Sequence, residues 1–555
     1  MEDHRLELCL ELVTGQRIVP FGDCCIETLD TRLASETCEE LFTPDSPHIR
    51  LGLGGVEIFG NGSGSHHELR KLHKRVDLIR SATEKSGGVY LYSNQFGCDG
   101  GRLVYDGCAL IAVNGQIVAQ GDQFSLSDVQ VISATIDLEA VRAFRVGKAS
   151  RGVQASHATS LTTVAVNFHL TDGRPIGHPT PSITVKYLQP EEEIAYGPAT
   201  WLWDYVRRSG ASGFFLPLSG GADSSSTAAI VGAMCQMITA SKDPIVLADI
   251  RRMTGDPEYV PVDPKELSSR LLHTAYLGTS NSSQGTEDFS KGLAEAIGSY
   301  HLYVNIDPVI AAILALFTLV VGKTPKYKVY GGSFPENQAL QNIQARFRML
   351  FSYMLAQLLP WVRGNSGWLL VLGSGNVDEG LRGYLTKYDC SSADLNPIGG
   401  ISKVDLKLFL IWASTNLGYS ILTGIVAQPP TAELEPITSE YVQTDEDDMG
   451  MTYEELGWFG RLRKIERCGP VSMFKRLLVK WPHLSPLEIA VKVKHFFRTY
   501  AQNRHKATTL TPSVHCESYG VDDNRFDLRP IFIDWKWPWQ FRNIDALVEN
   551  IEKEL

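Results

Sequence analysis

Ser219, Gly220, Gly221, Asp223 and Ser224 sit in the run Phe214-Phe215-Leu216-Pro217-Leu218-Ser219-Gly220-Gly221-Ala222-Asp223-Ser224-Ser225-Ser226-Thr227. An apolar stretch leads into a loop of small residues, and a helix-permitting stretch follows, which predicts strand, tight turn and helix start. Glycines 220 and 221 let backbone N–H groups close on an anion with no Cβ in the way. Asp223 and Ser224 then open the helix at the positive end of its dipole. The loop reads as a phosphate cradle. It lacks the lysine of a Walker A loop, so phosphate charge must be met by backbone N–H groups and a metal. Asp223 is the natural ligand, because Mg²⁺ takes carboxylate and phosphate oxygens together. The plainer alternative is an N-capped helix after a strand.

A second block of charged and small residues runs from Gly373 to Lys403, after the apolar run Trp368–Leu372. It contains Ser374, Glu379, Lys387, Asp389, Asp394 and, at its end, Lys403. Carboxylates and lysines at this density on a strand-end loop suit Mg·ATP. Glu379 would share the metal with Asp223, Lys403 would neutralise a phosphate, and Asp389 would hold an ammonium or the developing amine. Taken singly, each is equally a solvated loop charge. Between the two blocks a helix expected over 336–358 carries Glu336, Asn337, Gln344, Arg346 and Arg348. Gln344 and Arg348 are four apart and share a face, and Arg346 points elsewhere. Near the start, Cys38 lies at an expected strand-to-helix elbow, where a helix N-terminus lowers a thiol pKa. A structural cysteine is the alternative.

Alternating elements must position these groups. Strands are expected at 213–218, 271–277, 301–306 and 368–372, with helices at 223–238, 285–297 and 336–358, which is a doubly wound parallel sheet with its ligand at the carboxyl ends of the strands. Residues 1 to 150 show apolar runs at 55–59, 88–92 and 109–113, a helical stretch at 66–85, and an Asn114-Gly115 turn. The polar, proline-bearing stretch 151–195, ending in Pro190-Glu191-Glu192-Glu193, reads as a linker. The chain has 555 residues, too many for one core. Its net charge of −11 argues against general nucleic-acid or anionic-membrane binding, despite the basic stretches 461–467 and 492–506. No apolar run is long enough to span a bilayer, and the start Met-Glu-Asp-His-Arg is no secretory signal. Ten cysteines without a Cys-x-x-Cys knuckle point to a reducing cytoplasm.

The string Ser219-Gly-Gly-x-Asp-Ser224 resembles the pyrophosphate loop of ATP pyrophosphatases, which cut ATP between its α and β phosphates. Gly373 to Lys403, with the Glu336-Asn337…Gln344-Ala-Arg346-x-Arg348 pattern, resembles the NAD synthetase family over most of 196–540. Asn503-Arg504-His505-Lys506, His515–Tyr519 and Asn524–Pro530 match its glutamine-dependent eukaryotic type. The resemblance implies an adenine nucleotide alpha hydrolase-like fold over 196–555 and an amidation of deamido-NAD that consumes ATP with Mg²⁺. It assigns ATP to Pro217, Leu218, Ser219, Gly220, Gly221, Ala222, Asp223, Ser224, Ser374 and Lys403, with the metal on Asp223 and Glu379. It gives Glu336, Asn337, Gln344, Arg346, Arg348, Lys387, Asp394 and Lys506 to the dinucleotide, and catalysis to Ser219, Asp223 and Asp389. It also implies a homo-oligomer, and a mobile loop over Pro430–Leu434 and Gln443–Gly450 that closes on the adenylate.

Residues 1–150 resemble the second half of a nitrilase-type amidase, a partial αββα sandwich, through Cys38–Phe42, Asn61–His66, Asn94–Gly100 and Tyr105–Ala109. Such amidases use Glu, Lys and a Cys nucleophile, here Cys38. The short stretch before Cys38 resembles neither the Glu nor the Lys segment, so an N-terminally truncated or inactive glutaminase, exposing one face of its sheet, is expected. Ammonia would then replace glutamine. Two other classes stay open: another pyrophosphate-loop ligase such as GMP synthetase or a tRNA thiolase, and a non-catalytic subunit paired with a full-length copy.

Overall fold

A computed structural model describes residues 1–171, 177–429, 431, 433–436, 444–521 and 533–554. Two compact units emerge: residues 1–97 with 105–187, and residues 98–104 with 188–555.

The first unit is built on a seven-stranded sheet, in the order Gln116–Gln120, Leu110–Val113, Val89–Asn94, Ile58–Ser63, Arg32–Thr37, Cys25–Glu27, Thr163–Ala165. The three central strands are parallel, and Leu110–Val113 and Gln116–Gln120 form an antiparallel hairpin at one edge. Its turn residues Asn114 and Gly115 both have positive φ, 51° and 88°, as a two-residue hairpin requires. Side chains alternate with period two. Phe59, Tyr90, Leu110 and Ala112 pack beneath helix Leu72–Ser86, whereas Val89, Ile111 and Val118 pack on the opposite face against Val141. That second face, expected to stand open, is covered in part by Ile132, Ile136 and Leu138, while Leu91 remains 41% exposed.

The stretch expected as a linker has structure at both ends. Thr163–Ala165 joins the sheet edge parallel to Cys25–Glu27. Pro190 begins a helix that runs to Ser209. The acidic run that resembled a linker end is the first turn of this helix, closed by a Gln189–Glu192 capping box, where carboxylates suit the dipole.

The second unit carries a four-stranded parallel sheet in the order Tyr300–Asn305, Leu272–Gly278, Phe214–Pro217, Leu370–Val371. Helices Ala222–Ala240, Gln284–Ile297 and Phe334–Val362 follow its strands, so the expected α/β order is present with ends shifted by a few residues. A separate helical core gathers Met449, Leu456, Phe459, Phe474, Phe496 and Tyr500 from the last hundred or so residues.

Candidate functional site

Strand Phe214–Pro217 lies between Leu272–Gly278 and Leu370–Val371, so the loops leaving all three meet at one sheet edge. Gly220 turns the chain there with φ 81°, and a Cβ on it would lie 2.1 Å from the carbonyl oxygen of Thr286. Gly221 is the N-cap of helix Ala222–Ala240 and supplies no side chain to the first turn. The first N–H groups of that helix are therefore left for an anion. The Ser219 hydroxyl lies 2.9 Å from that of Ser224 and accepts from the Gly221 N–H at 3.3 Å, which stiffens the loop from within.

Charge gathers beside this loop. The Asp223 carboxylate pairs with the ammonium of Lys403 and accepts from Asn376 Nδ2 at 3.1 Å. Asn376 also donates to Glu379 at 2.8 Å and caps its own helix through the N–H groups of Asp378 and Glu379. The Tyr453 hydroxyl lies 3.2 Å from Glu379 Oε1 and 3.1 Å from Asp445 Oδ2. Burial, and then the negative charge of Asp223, push the Glu379 carboxyl well above its usual range, and burial likewise raises Asp445. Burial alone would lower the Lys403 ammonium, but Asp223, Glu379 and Asp445 outweigh it and hold its pKa up. Asp378, next to Glu379 in helix Val377–Arg382, is buried and raised to about 7. It accepts from the Lys403 backbone N–H at 2.9 Å and from the Tyr519 hydroxyl at 3.1 Å.

A cleft of about 490 Å³ is lined by all the residues that the sequence assigned to ATP: Pro217, Leu218, Ser219, Gly220, Gly221, Ala222, Asp223, Ser224, Ser374 and Lys403. Tyr276, Phe289, Arg348, Glu433 and Asp445 also line it. Glu379 and Asp389 line a smaller adjoining cavity with Asn376. Asp223, Glu379 and Asp445 do not converge on one point among the described residues. Mg²⁺ usually takes one or two carboxylates and completes its shell with phosphate and water oxygens, so Asp223 and Glu379 would suffice for it.

Several residues expected to touch the dinucleotide are occupied by their own chain. Glu336 forms the capping box with Ser333. Asn337 donates to Glu435 at 2.6 Å, and Gln344 donates to Tyr327 at 2.7 Å and to the Leu434 carbonyl at 3.0 Å. Arg346 reaches the backbone oxygen of Lys387, which is all that Lys387 brings to it, whereas Arg348 is half-buried, its pKa lowered by desolvation, and bonded to the Leu277 carbonyl. Asp394 accepts from the Val371 N–H at 2.8 Å, Asp389 from those of Ser391 and Thr386, and Lys506 donates to the Gly383 and Leu385 carbonyls. Burial raises Asp389 and lowers Lys506. Of these, Arg348 lines the larger cleft and Asp389 the smaller cavity. Asp445 and Tyr453 were not singled out from the sequence; the seven residues between them cross a turn, and no local motif marks the pair. Pro430, Ala432, Gln443 and Asn524–Pro530 lie outside the described residues.

In the first unit, Cys38 follows strand Arg32–Thr37 and starts a 3₁₀ turn, Cys38–Phe42, with φ 42°. Positive φ is costly for a cysteine, and such strain persists where the surroundings impose it. Its N–H donates to Asn61 at 3.1 Å. Glu36 is held by His48 and Tyr90, and Glu40 by the Thr37 N–H. Among the described residues no carboxylate or ammonium bonds the Cys38 sulfur.

The NAD synthase family pattern matches residues 198–467, and the carbon–nitrogen hydrolase pattern matches 10–146. An amidase-family domain is therefore present, and the expectation of an N-terminally truncated one is not borne out. The chain is 59% identical over 559 residues to the glutamine-dependent NAD(+) synthetase of Oryza sativa subsp. indica, covering 100% of this chain and 76% of that one. It is 57% identical over 565 residues to the Saccharomyces cerevisiae glutamine-dependent NAD(+) synthetase, covering 100% and 79%. A crystal structure of the glutamine-dependent NAD(+) synthetase from Cytophaga hutchinsonii superposes with a TM-score of 0.72 at 25% identity, over 98% of this chain and 77% of that one. With a phosphate loop, a buried charge cluster and relatives this similar across its length, the chain belongs to the glutamine-dependent NAD(+) synthetases.

Proposed function

We propose that this chain converts deamido-NAD to NAD⁺, using ATP and Mg²⁺. The observation that carries the reading is the Asp223–Lys403 pair at the open N-terminus of helix Ala222–Ala240, with Glu379 beside it. Backbone N–H groups of the loop and the helix start hold the phosphates, and Lys403 supplies positive charge against them. Asp223 and Glu379 would hold Mg²⁺, which would neutralise charge building on the leaving pyrophosphate. A nicotinate carboxylate oxygen bonds to the α phosphorus, and the bond from that phosphorus to the bridging oxygen breaks. Ammonia then adds to the acyl carbon, AMP departs, and a proton is released. Little acid–base chemistry is required, so positioning and charge stabilisation carry the rate. The relatives favour this reading over another pyrophosphate-loop ligase.

We also infer a homo-oligomer. Helix Asp307–Val321 is apolar yet leaves Leu316, Phe317, Leu319 and Val320 exposed, which fits a partner surface. Among the described residues no helix is long and apolar enough to cross a membrane, and all ten cysteines are free thiols, which fits a reducing cytoplasm. Neither membrane nor nucleic acid enters the proposal.

For the nitrogen source we propose ammonia. A cysteine amidase needs a base for its thiol and a cation for the tetrahedral intermediate. Glu36 and Glu40, two residues to either side of Cys38, are already taken by His48, Tyr90 and Thr37, and among the described residues no carboxylate or ammonium bonds the Cys38 sulfur. The test is NAD⁺ formed by the purified chain with ammonium or with glutamine, before and after Cys38→Ala. The expected result is synthesis with ammonium alone, nearly unchanged by Cys38→Ala. Robust glutamine-driven synthesis that Cys38→Ala removes would overturn it.

A further inference from the structure

Asp223, Glu379, Asp445 and Lys403 have one neighbour that touches most of them. Tyr453 is buried, 4% exposed, at the first turn of helix Tyr453–Gly460. Its hydroxyl stands between Glu379 at 3.2 Å and Asp445 at 3.1 Å. Its ring faces the Lys403 ammonium, 5.2 Å from the ring centre, and that ammonium pairs with Asp223. Tyr453 is itself held firmly. Its N–H donates to Glu446 at 3.0 Å, and a Thr452–Glu455 capping box closes the turn on which it stands. Its helix packs through Leu456 and Phe459 into the C-terminal helical core.

One O–H carries one proton and meets two carboxylates. Without it, the Glu379 and Asp445 carboxyl groups would lose the shared partner that fixes their spacing. A cation site depends on oxygens held at fixed positions by the groups behind them. The ring adds a second constraint, because a cation over an aromatic face is attracted to it and is restrained in position. Resting on the Mg²⁺ reading above, we propose that Tyr453 is a positioning residue that spaces Glu379 from Asp445 and seats Lys403, so that the carboxylates are preset for a divalent cation.

The probe is Mn²⁺, followed by electron paramagnetic resonance as it binds the full chain, together with the Mg²⁺ dependence of NAD⁺ synthesis. Tyr453→Phe keeps the ring and removes the hydroxyl. It is expected to weaken Mn²⁺ binding roughly 10-fold and to raise the half-saturating Mg²⁺ by a similar factor. The rate at saturating Mg²⁺ should stay within about twofold of the parent, since Tyr453 acts through the ligands. Asp223→Asn and Glu379→Gln calibrate the probe. If both weaken Mn²⁺ binding and Tyr453→Phe does not, the positioning role is wrong and the metal reading stands. If neither weakens it, the metal reading fails and takes this inference with it. A Tyr453→Phe variant with lowered melting temperature, unchanged Mn²⁺ affinity and a rate that added Mg²⁺ cannot restore would show a structural role only and would also overturn the proposal.

Discussion

Asp223→Ala is expected to lower the rate of NAD⁺ formation by on the order of 10²-fold or more, with ammonium as nitrogen source and at saturating substrates. The substitution removes a ligand of the proposed metal and the carboxylate that holds Lys403 in place. Lys403 would still face Glu379 and Asp445, so its charge is not stranded. Asp223 stands at the cleft wall and not within the apolar core. The fold should therefore persist, and Asp223→Asn, which retains the side chain's shape and can still bond Asn376, should lose nearly as much activity. Rates and circular dichroism on the two variants check this. Near-normal synthesis by Asp223→Ala would remove Asp223 from the mechanism.

Gly220→Ala is expected to be almost as damaging by a different route. Gly220 has φ 81°, and its added Cβ would come within 2.1 Å of the Thr286 carbonyl oxygen and 3.2 Å of the Ser290 N–H nitrogen. Those are backbone atoms of helix Gln284–Ile297 and cannot swing aside as a side chain would. The loop must shift, and about 1 Å of displacement at a reacting group costs on the order of 10²-fold in rate. Holding alanine at that φ adds about 1–3 kcal/mol of strain. Gly221 offers the contrast, because its φ is ordinary and its nearest new contact would be the Ser219 hydroxyl at 3.5 Å. Melting temperatures should fall for Gly220→Ala and hold for Gly221→Ala. Equal stability and equal ATP use in the two variants would show that the close approach of the two backbones is unimportant.

The phosphate loop was legible because its signal is local. Strand, two glycines, Asp223 and helix lie within one short stretch, and each step follows from backbone freedom or dipole direction. Apolar runs and the Asn114-Gly115 turn likewise exposed strands of the first unit. The assignment of Asp389 rested on charged residues crowding a strand-end loop, and that of Asp394 and Lys506 on the resemblance. Such crowding does not say whether a carboxylate faces a ligand or a backbone N–H. Asp394 meets Val371, 23 residues away, and Lys506 meets carbonyls more than a hundred residues away, and no spacing rule reveals those partners. Glu336 was legible after all as Ser333-x-x-Glu336, a capping box. The acidic run at 190–193 was misread because carboxylates are as common in a first helical turn as in a polar linker. Tyr453 was hidden because its partners Glu379 and Lys403 come from distant segments and only the fold brings them together.

The account turns on the cleft activating a carboxylate by cutting ATP between its α and β phosphates. Phosphorus NMR of the purified chain turning over deamido-NAD, ATP, Mg²⁺ and ammonium reads this directly. The account predicts equal amounts of AMP, pyrophosphate and NAD⁺, with the AMP resonance absent when deamido-NAD is withheld. ADP and inorganic phosphate as the products of ATP, in step with NAD⁺, would contradict it.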